Sequence, residues 1–553
     1  MECTVGMKEV VFESLLLERL TTGANLSQIG EGGNKDFNYD STKMFRRKLW
    51  KYEPHIKTID ALWKNFRDIL YRLNQDVLNI PLSDTEFGQV QKVINELYTP
   101  YKAGQFLYGV NGKSEVEVDL DDGRHVILTI FDQKQIGAGN TIYQVVTQIQ
   151  CPKKSPDGQD RRFDTTLLIN GLPIIQIEEK RSKERIESAL NQIKEYIKER
   201  QYSDIFSTVQ ILVAMKPTQI KYMANTTYEM FNEDFAFYWQ DPEDGKVVRD
   251  WKVFTDIFLS IPMAHQMSTQ FTILDGSKNN QVLKVMRPYQ VYATKKVLEA
   301  LKIADFEAPI NRLGYIWHTT GSGKTITSFK TAWLASRMPN IDKVVFLVDR
   351  IALTRQTEEN YKAYDPTGSI DMDGRKHEMI GGTENIKELK RKLGDKGNGI
   401  IVTSVQKLIN LIKRKDFVLP KKNYVFIVDE AHRSTGGDSF GELQKVFKGA
   451  AWVGYTGTPM FDNMGGSVSS KTHEVFGNIL HAYTIREAIS DKNVLGFKVD
   501  FETTIDEVTM KEEYLPNFYR QRYPYWTDEE IRERILNMTS DDMDDMLTPS
   551  FYD

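Results

Sequence analysis

Cysteine is nearly absent. Cys3 and Cys151 are the only two in 553 residues, too few for a disulfide framework or a cysteine-ligated metal centre, and the expected compartment is a reducing one. Long apolar runs are missing as well. None reaches the roughly 20 residues that a membrane-spanning helix needs, and no signal-peptide core stands at the N-terminus. Surplus charge is missing too: 72 Lys and Arg against 77 Asp and Glu leave a net charge of -5. That balance excludes a uniformly basic surface, so any nucleic-acid contact has to come from local grooves. There is no internal repeat and no low-complexity tract. What is present is the composition of a globular protein, with a length that predicts about three to four domains.

Residues 8–22 carry an apolar helical stripe through Val11, Leu15 and Leu16, ending near Gly23, and residues 24–42, rich in Gly, Asn and Ser, read as a loop. Helical segments follow around Leu62–Leu73 and Phe87–Leu97, then short alternating strands from about Ser114 to Gln150. The segment from about 217 to 280 reads as connecting structure. From about 310 the pattern changes to short apolar strands, Leu313–Trp317, Val344–Val348, Gly399–Thr403, Tyr424–Val428 and Ala451–Tyr455, several of them separated by helical segments. Strands alternating with helices predict a parallel sheet, with ligand-binding loops at the strands' carboxyl ends.

One of those strand ends carries His318-Thr319-Thr320-Gly321-Ser322-Gly323-Lys324-Thr325, directly before a helical run. This is the pattern of a phosphate-binding loop. Backbone N–H groups from Thr320 to Gly323 and a helix N-terminus cradle phosphates, Lys324 neutralises them, and the Thr325 hydroxyl binds Mg2+. His318 stands where the first glycine of such loops falls. Asp429-Glu430-Ala431-His432 follows another strand: Asp429 is placed to hold Mg2+ through water, and Glu430 to polarise an attacking water.

A second constellation lies in "LLINGLPIIQIEEK", residues 167–180, which reads as a hairpin around Asn170-Gly171. Side chains alternate faces along a strand, so Gln176, Glu178 and Lys180 share one face and Glu179 turns to the other. Asp164 falls opposite residues 177–179, where directly opposed Cβ atoms lie about 4.5–5.5 Å apart. Asp164 and Glu178 are therefore candidates to converge on one divalent cation, with Lys180 beside it and the Glu179 carbonyl as a further ligand. Such a set suits phosphodiester hydrolysis. Taken alone, an acid followed by Glu-x-Lys is short and common, and a solvated surface hairpin is the plain alternative. The apolar strand and the amphipathic helix behind it argue against that. In the helix, Ser182 is a plausible cap, Ile186, Leu190, Ile193 and Ile197 form the buried stripe, and Gln192 and Tyr196 lie one turn apart.

The loop, the DEAH segment and four further pieces resemble superfamily 2 helicase and translocase ATPases. Arg287-Pro288-Tyr289-Gln290 resembles the adenine-reading segment, with Gln290 facing the base. Arg350 in Val348-Asp349-Arg350, Ser404 and Gln406 in Thr403–Lys407, and Thr456 and Thr458 in Gly454–Pro459 resemble segments that contact nucleic acid or couple it to the ATP state. The hairpin resembles the PD-(D/E)xK nucleases, in the branch with a Gln-x3-Tyr motif, which implies that Gln192 and Tyr196 contact DNA or support the site. Phe163 replaces the usual proline, and Glu13 matches that family's helical acid.

The two sites in this order resemble the restriction (R, HsdR) subunit of type I restriction–modification enzymes. The resemblance implies an α/β chain: a nuclease domain with a mixed sheet flanked by helices over 1–270 (core about 110–215), then a RecA-like parallel-sheet motor lobe over 271–490. Residues 491–553 are expected to be a linker or the start of a second lobe in a longer natural chain, so that this chain binds ATP but hydrolyses it poorly. ATP and Mg2+ are the implied cofactors, duplex DNA and the modification and specificity subunits the implied partners, and a prokaryotic cytoplasm the implied location, with no membrane association. A nuclease–translocase of another defence or repair system, and an ATP-switched DNA-binding scaffold, are the alternative readings.

Overall fold

The fold is organised around the hairpin that the Asn-Gly pair predicts. In the computed structural model, β5 (Arg161–Ile169) and β6 (Leu172–Glu179) join through Asn170 and Gly171, whose φ values of 52° and 82° are both left-handed. That combination gives a two-residue turn whose twist matches the strands. The structure describes residues 8–22, 49–109, 112–137, 139–154, 156, 158–277, 280–309, 311–348, 351–365, 380–383, 385–395, 399–431, 438–460, 472–494 and 510–538. Contacts divide the chain into two units, one ending at Ala488 and one beginning at Ile489.

The first sheet of the larger unit has six strands. In order these are β1 (Lys51–Tyr52), β4 (Tyr143–Cys151), β5, β6, β7 (Ile211–Lys216) and β8 (Gln219–Ala224). A separate hairpin, β2 (Lys113–Asp119) with β3 (His125–Asp132), precedes β4. The sheet is mixed, as expected. β4, β5 and β6 run antiparallel in succession, while β6 and β7 are parallel, a pairing that the crossover through a helix permits. Every residue of β6 is buried. Opposite it, Thr165 faces Ile177 and Thr166 faces Gln176, so continuing the register sets Asp164 against Glu178.

Four helices matter to this sheet: α1 (Glu9–Thr22), α2 (Ile59–Leu73), α3 (Asp84–Asn95) and α4 (Pro100–Tyr108). On α1 the buried stripe is Phe12, Leu16 and Leu20, whereas Val11 is exposed and Leu15 half-buried. The helix is rotated from the expected face because Phe12 packs edge-on to Trp251, ring centroids 5.4 Å apart. The helix after β6, α5 (Ile186–Lys198), buries Ile186, Leu190, Ile193 and Ile197 as expected. Its cap position is Arg185 rather than Ser182, and no side chain caps it. The chain first makes a turn, closed by Glu184 N–H donating to the Arg181 carbonyl.

The segment expected as connecting structure is more ordered than its sequence pattern suggests. It holds β8, which returns antiparallel to β7, then α6 (Trp251–Ile257) and α7 (Met263–Thr269), and the first strand of the hairpin β9 (Thr272–Ser277) and β10 (Asn280–Val285). Aromatic contacts among Tyr222, Trp239 and Phe258 pack it down.

The second sheet has seven strands, all parallel. Its order is β13 (Ile380–Gly382), β14 (Ile400–Ser404), β12 (Lys343–Val348), β15 (Tyr424–Val428), β16 (Ala451–Thr456), β11 (Asn311–His318) and β17 (Ile479–Tyr483). Strands β12, β14, β15 and β16 are buried throughout, as parallel strands covered on both faces should be. Helices α8 (Pro288–Lys302), α9 (Lys324–Ala335), α10 (Ile351–Tyr364), α11 (Ile386–Gly394) and α12 (Val405–Ile412) accompany it. This is the α/β architecture expected: a mixed sheet followed by a parallel one. The smaller unit contains the helices Leu515–Arg522 and Asp528–Leu536. Its core is Leu515, Tyr519, Ile531, Ile535 and Met538. Among the described residues no helix is long and apolar enough to cross a membrane.

Gly171 tests the hairpin. A Cβ there would lie 3.0 Å from the Phe66 Cα on α2, at a φ of 82°. Gly171→Ala is expected to destabilise the chain by about 1–3 kcal/mol, read as a lowered urea midpoint, whereas Asn170→Gly is expected to leave the midpoint nearly unchanged.

Candidate active sites

At the end of β6 the two faces separate the three charges. Lys180 Nζ donates to Glu178 Oε1 (2.7 Å) and to the Glu179 carbonyl (3.0 Å). Asp164 accepts from the Glu179 backbone N–H at 2.9 Å, and its charge acts on the Glu178 carboxyl. The Glu179 side chain points the other way and accepts from Thr165 Oγ1 at 2.6 Å. Alternation along the strand therefore sorts them as expected.

Burial makes these groups unusual. Glu178 and Glu179 are wholly buried, and each has one carboxylate oxygen, Oε2, without a hydrogen-bond partner. Burial and then the Asp164 charge push both carboxyls well above the usual carboxylate range. Burial raises Asp164 as well, against the Glu179 N–H and the Lys180 charge. For Lys180, burial works downward but is outweighed by Glu178 and Asp164, so its ammonium is held more firmly than usual. Helix α1 adds two more acids. Oxygens of Glu9, Glu13 and Asp164 lie within 4.8 Å of one another, and Gln148 donates to Glu13 at 2.9 Å. Both α1 carboxyls are raised, chiefly by burial. Glu13 thus lies where the sequence places it, and Glu9 is an addition. It sits one helical turn before Glu13, a spacing that puts both on one face.

Glu9, Arg162, Asp164, Lys180, Gln192 and Tyr196 line a cleft of about 770 Å3. Gln192 Nε2 donates to the Tyr196 hydroxyl, so the pair predicted on one helical face is a bonded pair on the cleft wall. Phe163, in the place of the usual proline, packs against Tyr196, Tyr202 and Phe206 with ring centroids 5.1, 5.5 and 4.7 Å apart. It seats the α5 side of the cleft. Arg161 also braces Tyr196: its guanidinium lies 5.6 Å from the ring centroid and makes two bonds to Glu199, 2.7 and 2.6 Å.

The second constellation forms at the carboxyl ends of β11, β15 and β16. Gly321 and Gly323 have φ of 81° and 80°, the left-handed values that let a loop wrap its N–H groups around an anion before α9 begins. Lys324 Nζ is 3.9 Å from Glu430 Oε1. Asp429 ends β15 beside the loop, and burial followed by the Glu430 charge raises its carboxyl to about 6. Thr320 and Thr325 are exposed at the loop. Ser322 is buried and donates to the Thr319 carbonyl at 2.6 Å.

Gln290 is nearly buried. Its oxygen accepts from Arg287 N–H (3.0 Å) and its Nε2 donates to the Ser322 carbonyl (3.3 Å), so it braces the loop from behind. Tyr289 adds a bond to the same carbonyl, 2.6 Å, and stacks on Tyr483 at 3.6 Å. His318, in the place of the first glycine, is fully buried with Nε2 3.1 Å from His481 Nδ1. Burial holds both rings neutral, with His481 lowered to about 4. Neither Tyr289–Tyr483 nor the histidine pair was legible in the sequence, because β17 lies about 160 residues from β11.

Thr456 ends β16 next to β11, and its Oγ1 accepts from Thr458 N–H at 3.2 Å. A Cβ on Gly457 would come within 3.2 Å of Lys324 Nζ. Ser404 caps α12 by accepting from Lys407 N–H, while Gln406 is exposed and bonds to Asn410. Arg350 and His432 lie outside the described residues.

Residues 34–231 match the family described as type I restriction enzyme R protein N terminus (HSDR_N), and residues 289–532 match the SWI2/SNF2 ATPase family. The chain is 35% identical over 475 residues to the type I restriction enzyme SsaAORF53P endonuclease subunit of Staphylococcus saprophyticus subsp. saprophyticus, covering 85% of this chain and 47% of that protein. It is 33% identical over 284 residues to the type I restriction enzyme EcoprrI endonuclease subunit of Escherichia coli, covering 48% of this chain and 82% of that one. A solved structure of a nuclease-deletion mutant of the type ISP restriction-modification enzyme LlaGI, in complex with a DNA substrate mimic, overlaps 43% of this chain and 23% of its own, with 20% identity and a TM-score of 0.29. The chain spans about half the length of the staphylococcal relatives it matches. With both family matches in the same order along the chain, and with identity to the endonuclease subunits of two genera, the protein belongs to the family of type I restriction enzyme endonuclease subunits.

Proposed function

We propose that this chain is the DNA-cutting, ATP-binding part of a type I restriction enzyme. It would cleave duplex DNA with Mg2+ at the Asp164–Glu178–Lys180 site and bind ATP at the loop around Lys324. The observation that carries the reading is the buried acid–acid–lysine set at the end of β6, opening on a cleft in a chain that also holds the phosphate loop.

The residues fit a divalent cation. Among the described residues Glu178 Oε2 is buried and unpartnered, two further carboxylates, Glu9 and Glu13, converge on Asp164, and all the donors are hard oxygens. Asp164, Glu178 and the Glu179 carbonyl would hold it, with Glu13 on the α1 side. A cation there supplies polarisation of a water and neutralisation of the phosphate it attacks. Lys180, charged and anchored by Glu178, orients that water. Gln192 and Tyr196 fix the opposite wall. At the second site the loop N–H groups and Lys324 bind the phosphates, Thr325 and Asp429 are placed for Mg2+, and Glu430 for the water. Gln290 sets the loop's position and, at its edge, faces the base. Ser404, Gln406, Thr456 and Thr458 are proposed to meet the DNA backbone. The modification and specificity subunits are the proposed assembly partners and a prokaryotic cytoplasm the proposed location.

Lys180→Ala is expected to lower Mg2+-dependent cleavage by about 100-fold or more while ATP binding stays unchanged. Equal cleavage by the variant and the wild type would leave a DNA-binding scaffold as the better reading. Lys324→Ala is expected to weaken ATP binding by more than about tenfold, measured by fluorescent-nucleotide titration, with an unaltered circular dichroism spectrum.

A pH experiment tests the cation site. Burial and the neighbouring Asp164 charge make Glu178 hold its proton to higher pH in the folded chain than in the unfolded one. Cation-free stability therefore falls as pH rises above about 4.5 towards the raised value. In EDTA, the urea midpoint of the wild type is expected to fall relative to that of Glu178→Gln between about pH 5 and pH 8. Added Mg2+ should narrow the gap. Parallel pH profiles for the two proteins would argue against a buried, strained Glu178.

A further inference from the structure

Three cations line the cleft, and two are already engaged: Lys180 with Glu178, and Arg161 with both oxygens of Glu199. The third is Arg162. It is exposed, and among the described residues its guanidinium makes no ion pair or hydrogen bond. Arg162 lies two residues before Asp164 on β5, and side chains at that spacing share a face about 6.5–7 Å apart along the strand. Its backbone is pinned on the far side as well, since Arg162 pairs with Gln150 of β4, and Gln150 in turn bridges Thr58 at the start of α2. Its charge acts on both Asp164 and Glu13.

We propose that Arg162 is a positioning residue that grips a phosphate of the cleaved strand next to the one at Asp164, holding the polyanion in a cleft whose other cations are spent on the protein. The assignment rests on the nuclease reading of the cleft. A cleft lined by Glu9, Asp60, Asp160 and Asp164 repels DNA unless an unengaged cation offsets it. A guanidinium is suited to that task because its planar donors match phosphate oxygens. Lys180 is not available for it, being bound to Glu178 and to the Glu179 carbonyl.

The test is binding of a short fluorescein-labelled DNA duplex to the full chain, followed by anisotropy in Ca2+ without nucleotide over a range of KCl. Neutralising one phosphate contact should make the plot of log affinity against log salt shallower by about 0.9. R162Q is therefore expected to weaken binding several-fold with that change in slope, and R162K to restore the slope. An unchanged slope in R162Q overturns the assignment. So does a loss of cleavage rate with affinity and slope intact, which would make Arg162 a modulator of the Asp164 carboxylate instead. Cleavage by Lys180→Ala separates the two readings. If that variant cuts as the wild type does while R162Q changes the slope, the nuclease reading fails and the Arg162 contact stands.

Discussion

The constraint on which the amino-terminal half depends is the burial of like charges at the end of one strand. Asp164, Glu178 and Glu179 are removed from water within a few ångströms of one another, with a single lysine among them. Burying an uncompensated carboxylate costs several kcal/mol, so the surrounding fold has to hold the arrangement by other means. It does so with a strand that is buried along its whole length, a tight turn that fixes the register, and helices packed on both sides. Strain of this kind is retained where it does something, and a cation would relieve it directly.

Much of this was legible because it is local. Alternation along β6 separates Glu178 from Glu179, the Asn-Gly pair sets the turn, and the turn sets Asp164 opposite Glu178. The phosphate loop and the acids after β15 are equally local, each a strand followed by a few residues of known chemistry. The parallel sheet follows from its alternating strands and helices.

What was not legible depends on packing between distant segments. The face of α1 that is buried is set by Phe12 against Trp251, about 240 residues away, so of the expected stripe Leu16 is buried while Leu15 is only half-buried and Val11 is exposed. Glu9 joins the acidic cluster because it lies one helical turn before Glu13. Gln290 likewise depends on distant packing: its Nε2 is bound to the Ser322 carbonyl of the loop it serves. The region after β7 looked like a connection because its strands are short and its core is aromatic, with no clear period to read.

Helix α9 shows how the two halves of the larger unit are joined mechanically. It begins at Lys324, and three of its residues reach three different elements. Ser328 accepts from Tyr361 on α10 (3.0 Å), Thr331 accepts from Tyr455 on β16 (2.8 Å), and Lys330 donates to Tyr108 at the end of α4 (3.1 Å). Lys330 is fully buried and, among the described residues, has no carboxylate among its contacts, and burial lowers its ammonium well below the usual range. A buried lysine bonded to a tyrosine is expensive to detach, since leaving either group unpaired adds a desolvation penalty. A shift of α9 that followed a change at the phosphate loop must therefore carry Tyr108 with it or break a bond that has no replacement. Because α4 lies against the turn at residues 204–208, and that turn lies against β6, one packed route from the nucleotide loop to the strand bearing Glu178 runs through Lys330 and Tyr108.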